Sequence, residues 1–197
     1  MKHDSSSICV FCGSRPGNDP AYEAGSRRLG RTLAEAGITL VYGGGHVGLM
    51  GVVADAVLDA GGNVTGVIPK ALVEREIAHP GLTDLRVVGS MHERKAMMSE
   101  LSEGFIALPG GTGTPEEFFE VQTWAQLGEH EKPCGLLNLA GYYDPLVALF
   151  DHMVAKDFLS EEHRATILIE TEPKLLLGAF ARSRPPKTIK WIDKEET

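Results

Sequence analysis

"ITLVYGGGHVGLMGVVADAVLDAGGNVTGVIP", residues 38 to 69, contains a complete strand–helix–strand unit. Its opening run, Ile38 to Tyr42, is short and rich in β-branched and aromatic residues, which suits a buried strand. Three glycines end it. "VGLMGVVADAVLDA" then keeps apolar residues at helical spacing until Gly61-Gly62 closes the helix. "NVTGVIP" is another apolar run of strand length. Two apolar strands joined by an apolar helix predict a parallel pair, because only a crossover of that length returns the chain to the same end of the sheet.

The alternation extends in both directions. "SICVFCGS" is a strand, followed by a helix from Pro20 to about Ala36 that Gly37 ends. After the central unit, Lys70 to Thr83 reads as an irregular loop containing Glu74, Arg75, Glu76 and Pro80. "DLRVVG" is a strand, Ser90 to Glu103 a helix, "GFIALPGG" a strand and Pro115 to Leu127 a helix. "PCGLLNL", a helix from Tyr143 to Lys156, "ATILIE" and a helix to about Ala181 complete the pattern. The fold class is therefore α/β: a Rossmann-like, doubly wound parallel sheet with helices on both faces and right-handed crossovers. Neither internal repeat nor interdomain linker interrupts it, so residues 1–181 are expected to form a single domain. Residues 182–197 read as a polar, solvated C-terminal tail.

The net charge of −8 argues against nucleic acid as a partner, since phosphate backbones need clustered Lys and Arg. A small anionic ligand needs only a few local cations. The apolar run Ile8 to Cys12 is too short for a signal core or a membrane span, and a cytoplasmic protein with no membrane partner is expected. Cys9 and Cys12 spell C-x-x-C, but their odd separation in a strand sends them to opposite faces, so reduced cysteines are expected. The histidines form no ligand spacing, and no metal site is predicted.

Three strands end in glycine turns: "FCGSRPG", with Gly13 and Ser14; "YGGGHVG", with Gly44 and Gly45; and "LPGGTGT", with Gly110, Gly111 and Gly113. Open α/β sheets bind ligands at the carboxyl ends of their strands, where turn amides and helix N-termini cradle phosphate. Gly43 to Gly48 fits G-x-G-x-x-G, but the next strand ends Val67-Ile68-Pro69-Lys70, without the acid a dinucleotide ribose needs. A mononucleotide or sugar phosphate is the better match.

Two helix starts carry charges that need explanation. Ser90 can N-cap, with Glu93 completing a capping box, yet Arg94 and Lys95 then fall where the helix dipole disfavours cations. Met91, Met97, Met98 and Leu101 form an apolar stripe with Arg94 near its middle and Lys95 at its edge. An inward Arg94 requires an anionic partner; the alternative is a guanidinium that snorkels outward. In the other helix Thr114 can N-cap, Pro115 suits the first position and Glu117 completes a second capping box. Phe118, Val121, Trp124 and Ala125 define its inward face. Glu117 falls on that face, while Glu116 and Glu120 point away and Glu116 is the more solvated. Arg94 and Glu117 would compensate one another.

"FCGSRPG", "YGGGHVGLMG", "MHERK", "PGGTGTPEE" and "TWAQLGEHEKPCGLLN" together resemble the Lonely Guy (LOG) family, the cytokinin riboside 5'-monophosphate phosphoribohydrolases, long labelled possible lysine decarboxylases from the P-G-G-x-G-T-x-x-E motif. The resemblance runs from about Ile8 to Leu159. It implies a homodimer that hydrolyses the N-glycosidic bond of a nucleoside 5'-monophosphate to free base and ribose 5-phosphate, with no cofactor. Arg94 and Glu117 match the family's catalytic pair. Glu76, Lys95, Gly111, Thr112, Gly113, Thr114, Glu116 and Thr123 match its nucleotide-binding positions; Gly13, Ser14, Gly44, Gly45, Met91 and Gly110 complete the expected binding set. On this reading Glu117 stabilises the sugar cation and handles water, while Arg94 holds ligand oxygens and keeps Glu117 ionised. Thr112 and Pro115 depart from plant-type members, which carry Tyr and an aliphatic residue there, and bear on base or sugar preference. A nucleotide-binding module without turnover would keep the same turns. A decarboxylase would need pyridoxal phosphate on a lysine, and Lys70 and Lys95 are the lysines near the ligand edge.

Overall fold

The computed structural model describes residues 6–74 and 77–184. Seven strands run β1 (Ser7–Phe11), β2 (Thr39–Tyr42), β3 (Val64–Pro69), β4 (Asp84–Val88), β5 (Phe105–Ala107), β6 (Cys134–Leu137) and β7 (Ile167–Glu170). The helices are α1 (Pro20–Glu35), α2 (Gly48–Asp59), α3 (Lys70–Val73), α4 (Met91–Glu100), α5 (Gly113–Gln126), α6 (Asp144–Ala155), α7 (Glu161–Ala165) and α8 (Pro173–Arg182). All strand pairs are parallel, in the order β4-β3-β2-β1-β5-β6-β7. This is the expected α/β Rossmann-like sheet.

Side-chain alternation along β1 builds both cores. Ile8 and Val10 face one cluster with Leu29 of α1 and Val53 of α2. Cys9 and Phe11 face the other, with Met98 of α4, Phe118 of α5 and Phe150 of α6. Helices therefore cover both faces, and the central strands β1, β2, β5 and β6 are buried on both sides, while the edge strand β4 is largely exposed. Helices α1 and α2 approach closely because Gly30 has no side chain: a Cβ there would lie 2.7 Å from the Val53 carbonyl.

The chain leaves β1 toward β2, β3 and β4, then crosses back through α4 to β5 on the other side of β1. β1 and β5 pair through Cys9↔Phe105 and Val10↔Ile106, so the loops leaving these two neighbours diverge at their carboxyl ends. That divergence opens a crevice, as the topology rule for such sheets requires.

Cys9 and Cys12 pack on opposite faces as expected, and the three cysteines are free thiols. Burial pushes all three thiols up, Cys134 to about 12, so they are unreactive near neutral pH. No helix among the described residues is long and apolar enough to cross a membrane.

Three expectations need adjustment. The stretch from Lys70 is not wholly irregular: α3 occupies its start, and Ala78 makes an antiparallel bridge to Gly45. Helix α4 stops at Glu100 rather than Glu103, because the chain must turn to enter β5. Ser7 Oγ and the Glu103 amide tie that turn to β1, donating to the carbonyls of Leu101 at 2.6 Å and Ser7 at 2.8 Å. Helix α7, five residues long, was invisible to a reading based on periodicity. Of the expected polar tail, residues 185–197 lie outside the described residues.

Candidate active site

Helix α4 begins as expected, with Ser90 Oγ accepting from the Glu93 amide at 3.1 Å. The reciprocal half is displaced by one residue: Glu93 accepts from the Gly89 amide, at 2.8 Å, rather than from that of Ser90. The helix is rotated slightly from the anticipated stripe. Arg94 and Met98 are its buried residues, while Met91 and Leu101 are 44% and 37% exposed. Arg94 therefore does not snorkel.

The Arg94 guanidinium is held from three sides. Its Nε donates to the Val67 carbonyl at 3.1 Å, at the end of β3. Its Nη1 lies 3.5 Å from Glu117 Oε1, and both side chains are almost entirely covered, at 11% and 12% exposure. Its Nη2 occupies the space above Gly43, where an added Cβ would lie 1.8 Å away. Gly43 thus makes room for a cation at the end of β2, and Met91 Sδ flanks Nη1 at 3.8 Å.

Glu117 sits one turn into α5, on the buried side with Thr114, Phe118 and Val121. The expected capping box at this helix does not form. The helix starts earlier, at Gly113, because Thr112 adopts a helical conformation and caps with no side chain. Thr114 lies inside the first turn, its amide donating to the Gly111 carbonyl at 3.0 Å. The Glu117 carboxyl is therefore not spent on the helix start. Burial raises its pKa to about 7, and Arg94 opposes that rise without cancelling it. Arg94 acts in the expected direction, favouring the ionised carboxylate, while burial acts against it.

Lys95 lies against protein carboxylates. Its Nζ is 2.6 Å from Glu116 Oε1 and 3.0 Å from Glu120 Oε1, and the Glu116 hydrogen bond leads a raised pKa. Glu116 is the more solvated acid, 57% exposed against 27% for Glu120. Thr123 is exposed and donates to the Phe119 carbonyl within its own helix at 2.7 Å, away from the Arg94–Glu117 face.

The crevice between the β1 and β5 exits is a cleft of about 370 Å³. Gly13, Ser14, Gly110 and Gly111, from two of the three glycine turns, line it. Arg15, Tyr22 and Tyr142 line it too, and sequence reasoning did not single them out. Arg15 follows the first turn directly and could have been noticed there; the tyrosines carry no local signal. Gly110 must be glycine, since a Cβ would lie 2.1 Å from Thr114 Oγ1 and 2.8 Å from the Gly13 nitrogen. Gly44 and Gly45 are buried and do not line the cleft. They pin the following loop: the His79 amide donates to the Gly44 carbonyl at 2.9 Å, and His79 Nε2 meets Asp55 Oδ1 at 3.0 Å. Glu76 lies outside the described residues, but Ile77 to His79 run beside the Gly43–Gly45 turn.

The family model described as "possible lysine decarboxylase" matches residues 50–180. A cytokinin riboside 5'-monophosphate phosphoribohydrolase from Rhodococcoides fascians is 49% identical over 181 residues, covering 91% of this chain and 90% of that protein. A probable enzyme of the same name from Oryza sativa subsp. japonica is 54% identical over 161 residues, covering 82% and 72%. Among solved structures, the molybdenum cofactor binding protein of Rippkaea orientalis superposes with a TM-score of 0.69 at 19% identity, over 92% of this chain and 98% of that one, a likeness of fold. The identities and coverage place the chain: it belongs to the LOG family of cytokinin riboside 5'-monophosphate phosphoribohydrolases.

Proposed function

We propose that the protein hydrolyses the N-glycosidic bond of an N6-substituted adenosine 5'-monophosphate, releasing the free base and ribose 5-phosphate. The observation that carries this reading is the covered Arg94–Glu117 pair, 3.5 Å apart, at the carboxyl edge of the sheet. The names and close similarity of its relatives point to the same reaction.

Cleavage of the bond from C1' to the base nitrogen builds positive charge on the ribose. An ionised Glu117 stabilises that charge and accepts a proton from the attacking water as the new C1'–O bond forms. The departing base takes up a proton, so one water is consumed overall. Arg94 holds ligand oxygens through the donors that its Val67 contact leaves free. The amides of Gly110 to Gly113, with Arg15 across the cleft, receive the 5'-phosphate. Lys95 pairs with Glu116 and Glu120 and offsets part of their charge, which eases the crowding of three acids beside an anionic ligand. Met91 beside Arg94, and Thr112 and Pro115 at the start of α5, bear on base or sugar preference. Gly44 and Gly45 hold residues 77–79 beside the turn that seats Arg94.

The decarboxylase description fits these lysines poorly. Lys95 is tied to two carboxylates, and Lys70 is 76% exposed on α3. A Schiff-base lysine works best with its charge destabilised, whereas Lys70 is exposed and the carboxylates around the covered Lys95 stabilise its charge.

We further propose a cytoplasmic homodimer. The edge strand β4 and the start of α4 expose Leu85, Val87 and Met91, which supports pairing along that edge. Light scattering behind a sizing column should report about twice the chain mass; a monomer at micromolar concentration would reject it. The hydrolase reading is tested by replacing Glu117 with Gln and Arg94 with Ala. Each should abolish base release while leaving the fold intact, and near-full activity in either would reject the assignment.

A further inference from the structure

The turn that leaves β5 is oriented in an unusual way. All four carbonyls from Leu108 to Gly111 are occupied by protein donors. Tyr143 Oη donates to Leu108 at 2.6 Å, the Gly13 amide to Pro109 at 3.0 Å, and the Thr114 amide to Gly111 at 3.0 Å. Tyr142 Oη donates to Gly110. By contrast, the amides of Gly110, Gly111, Thr112 and Gly113 meet no acceptor among the described residues. The turn's negative edge is satisfied by protein, and its positive edge is left for a ligand.

Two of these four donors come from one remote segment. After β6, Ala140 and Gly141 both take left-handed conformations, with φ of 50° and 71°. That turn delivers adjacent tyrosines to the same glycine loop. Asn138 braces it, accepting from the Tyr143 amide at 2.7 Å and donating to Asp144 Oδ1 at 2.7 Å. Tyr143 is buried. Tyr142 is 38% exposed, lines the cleft, and rests edge-on against Tyr22 with ring centroids 5.6 Å apart. A non-glycine residue in a strained conformation persists where surrounding contacts hold it, and here those contacts include this brace.

We propose that Tyr142 is a positioning residue for phosphate: its hydroxyl holds the Gly110 carbonyl so that the amides of residues 110–113 face the ligand. The inference rests on the reading that the β5 turn receives the 5'-phosphate. It makes Tyr142 a determinant of discrimination between a nucleoside 5'-monophosphate and the corresponding nucleoside. Without the hydroxyl, the Gly110 peptide is free to rotate and present its oxygen to the anion.

The test is Tyr142→Phe in the full chain, which keeps the ring and its packing. Calorimetry would measure the Kd of AMP and of adenosine for both proteins, alongside turnover of the monophosphate. We expect the AMP Kd to rise about tenfold, with adenosine unchanged within about twofold and kcat reduced much less than KM rises. An unchanged AMP affinity, or equal losses for both ligands, overturns the proposal. So does a wild-type protein that binds AMP no better than adenosine. A wild-type protein that binds AMP tightly but releases no base rejects the hydrolase reading alone, and the two affinities still decide the role of Tyr142.

Discussion

The Glu117 carboxyl is the most exacting point of the account, because its ionisation links stability and catalysis. Its folded-state pKa is about 7 where an ordinary glutamate has 4.5, chiefly through burial. The native state therefore holds the proton more tightly than the unfolded chain. This contribution favours folding most below about pH 4.5 and is lost as pH rises to about 7, an overall change of roughly 3 kcal/mol. Glu117→Gln abolishes the titration while preserving shape. Denaturant unfolding of wild type and variant at intervals from pH 4.5 to 8 should show the wild type losing about 3 kcal/mol relative to the variant, with no further relative loss above pH 7.5. In the wild type, kcat/KM should rise through an apparent pKa near 7 and level off, because the ionised carboxylate is the working form. A pH-independent stability difference, or an activity limb near pH 4.5, would refute the claim that burial outweighs Arg94.

Other perturbations probe the surroundings of that carboxyl. Gly43→Ala places a methyl 1.8 Å from Arg94 Nη2 and 2.8 Å from Met50 Cε, both at ends of flexible side chains. The fold should survive with Tm little changed, while displacement of the guanidinium costs about 10²-fold in kcat/KM; full activity would show that Arg94 needs no such seat. Lys95→Ala removes a cation that lowers the Glu117 pKa and unmasks Glu116 and Glu120, so the activity limb should move to higher pH; a limb at lower pH would contradict this. Arg15→Ala should raise KM for the monophosphate about tenfold with kcat nearly preserved, since a lost ground-state phosphate contact weakens binding uniformly; an unchanged KM would remove Arg15 from the site.

Much of this arrangement was legible in the sequence because it depends on local spacing. Apolar runs and glycine stops located every strand. The helical wheel placed Glu117 inward, and the same reasoning marked Arg94 as misplaced for a surface residue. Where the reading failed, the cause was tertiary. Thr114 has the chemistry of an N-cap, yet Thr112 turns helical two residues sooner and draws Thr114 into the first turn beside Gly110. Met91 and Leu101 fit an apolar stripe, but the seat for Arg94 between Val67 and Gly43 sets the rotation of α4. Tyr142 had no signal, being 32 residues from the carbonyl it holds. The Glu117 pKa depends on how completely α4 and the sheet cover it, which no spacing reveals.

The most direct test incubates the pure protein with N6-isopentenyladenosine 5'-monophosphate and with AMP, then separates the products by chromatography. The account predicts stoichiometric free base and ribose 5-phosphate from the wild type, with more than about a thousandfold loss in Glu117→Gln. Intact nucleotide after long incubation with a folded wild-type protein that binds it, or undiminished base release by Glu117→Gln, would contradict the account.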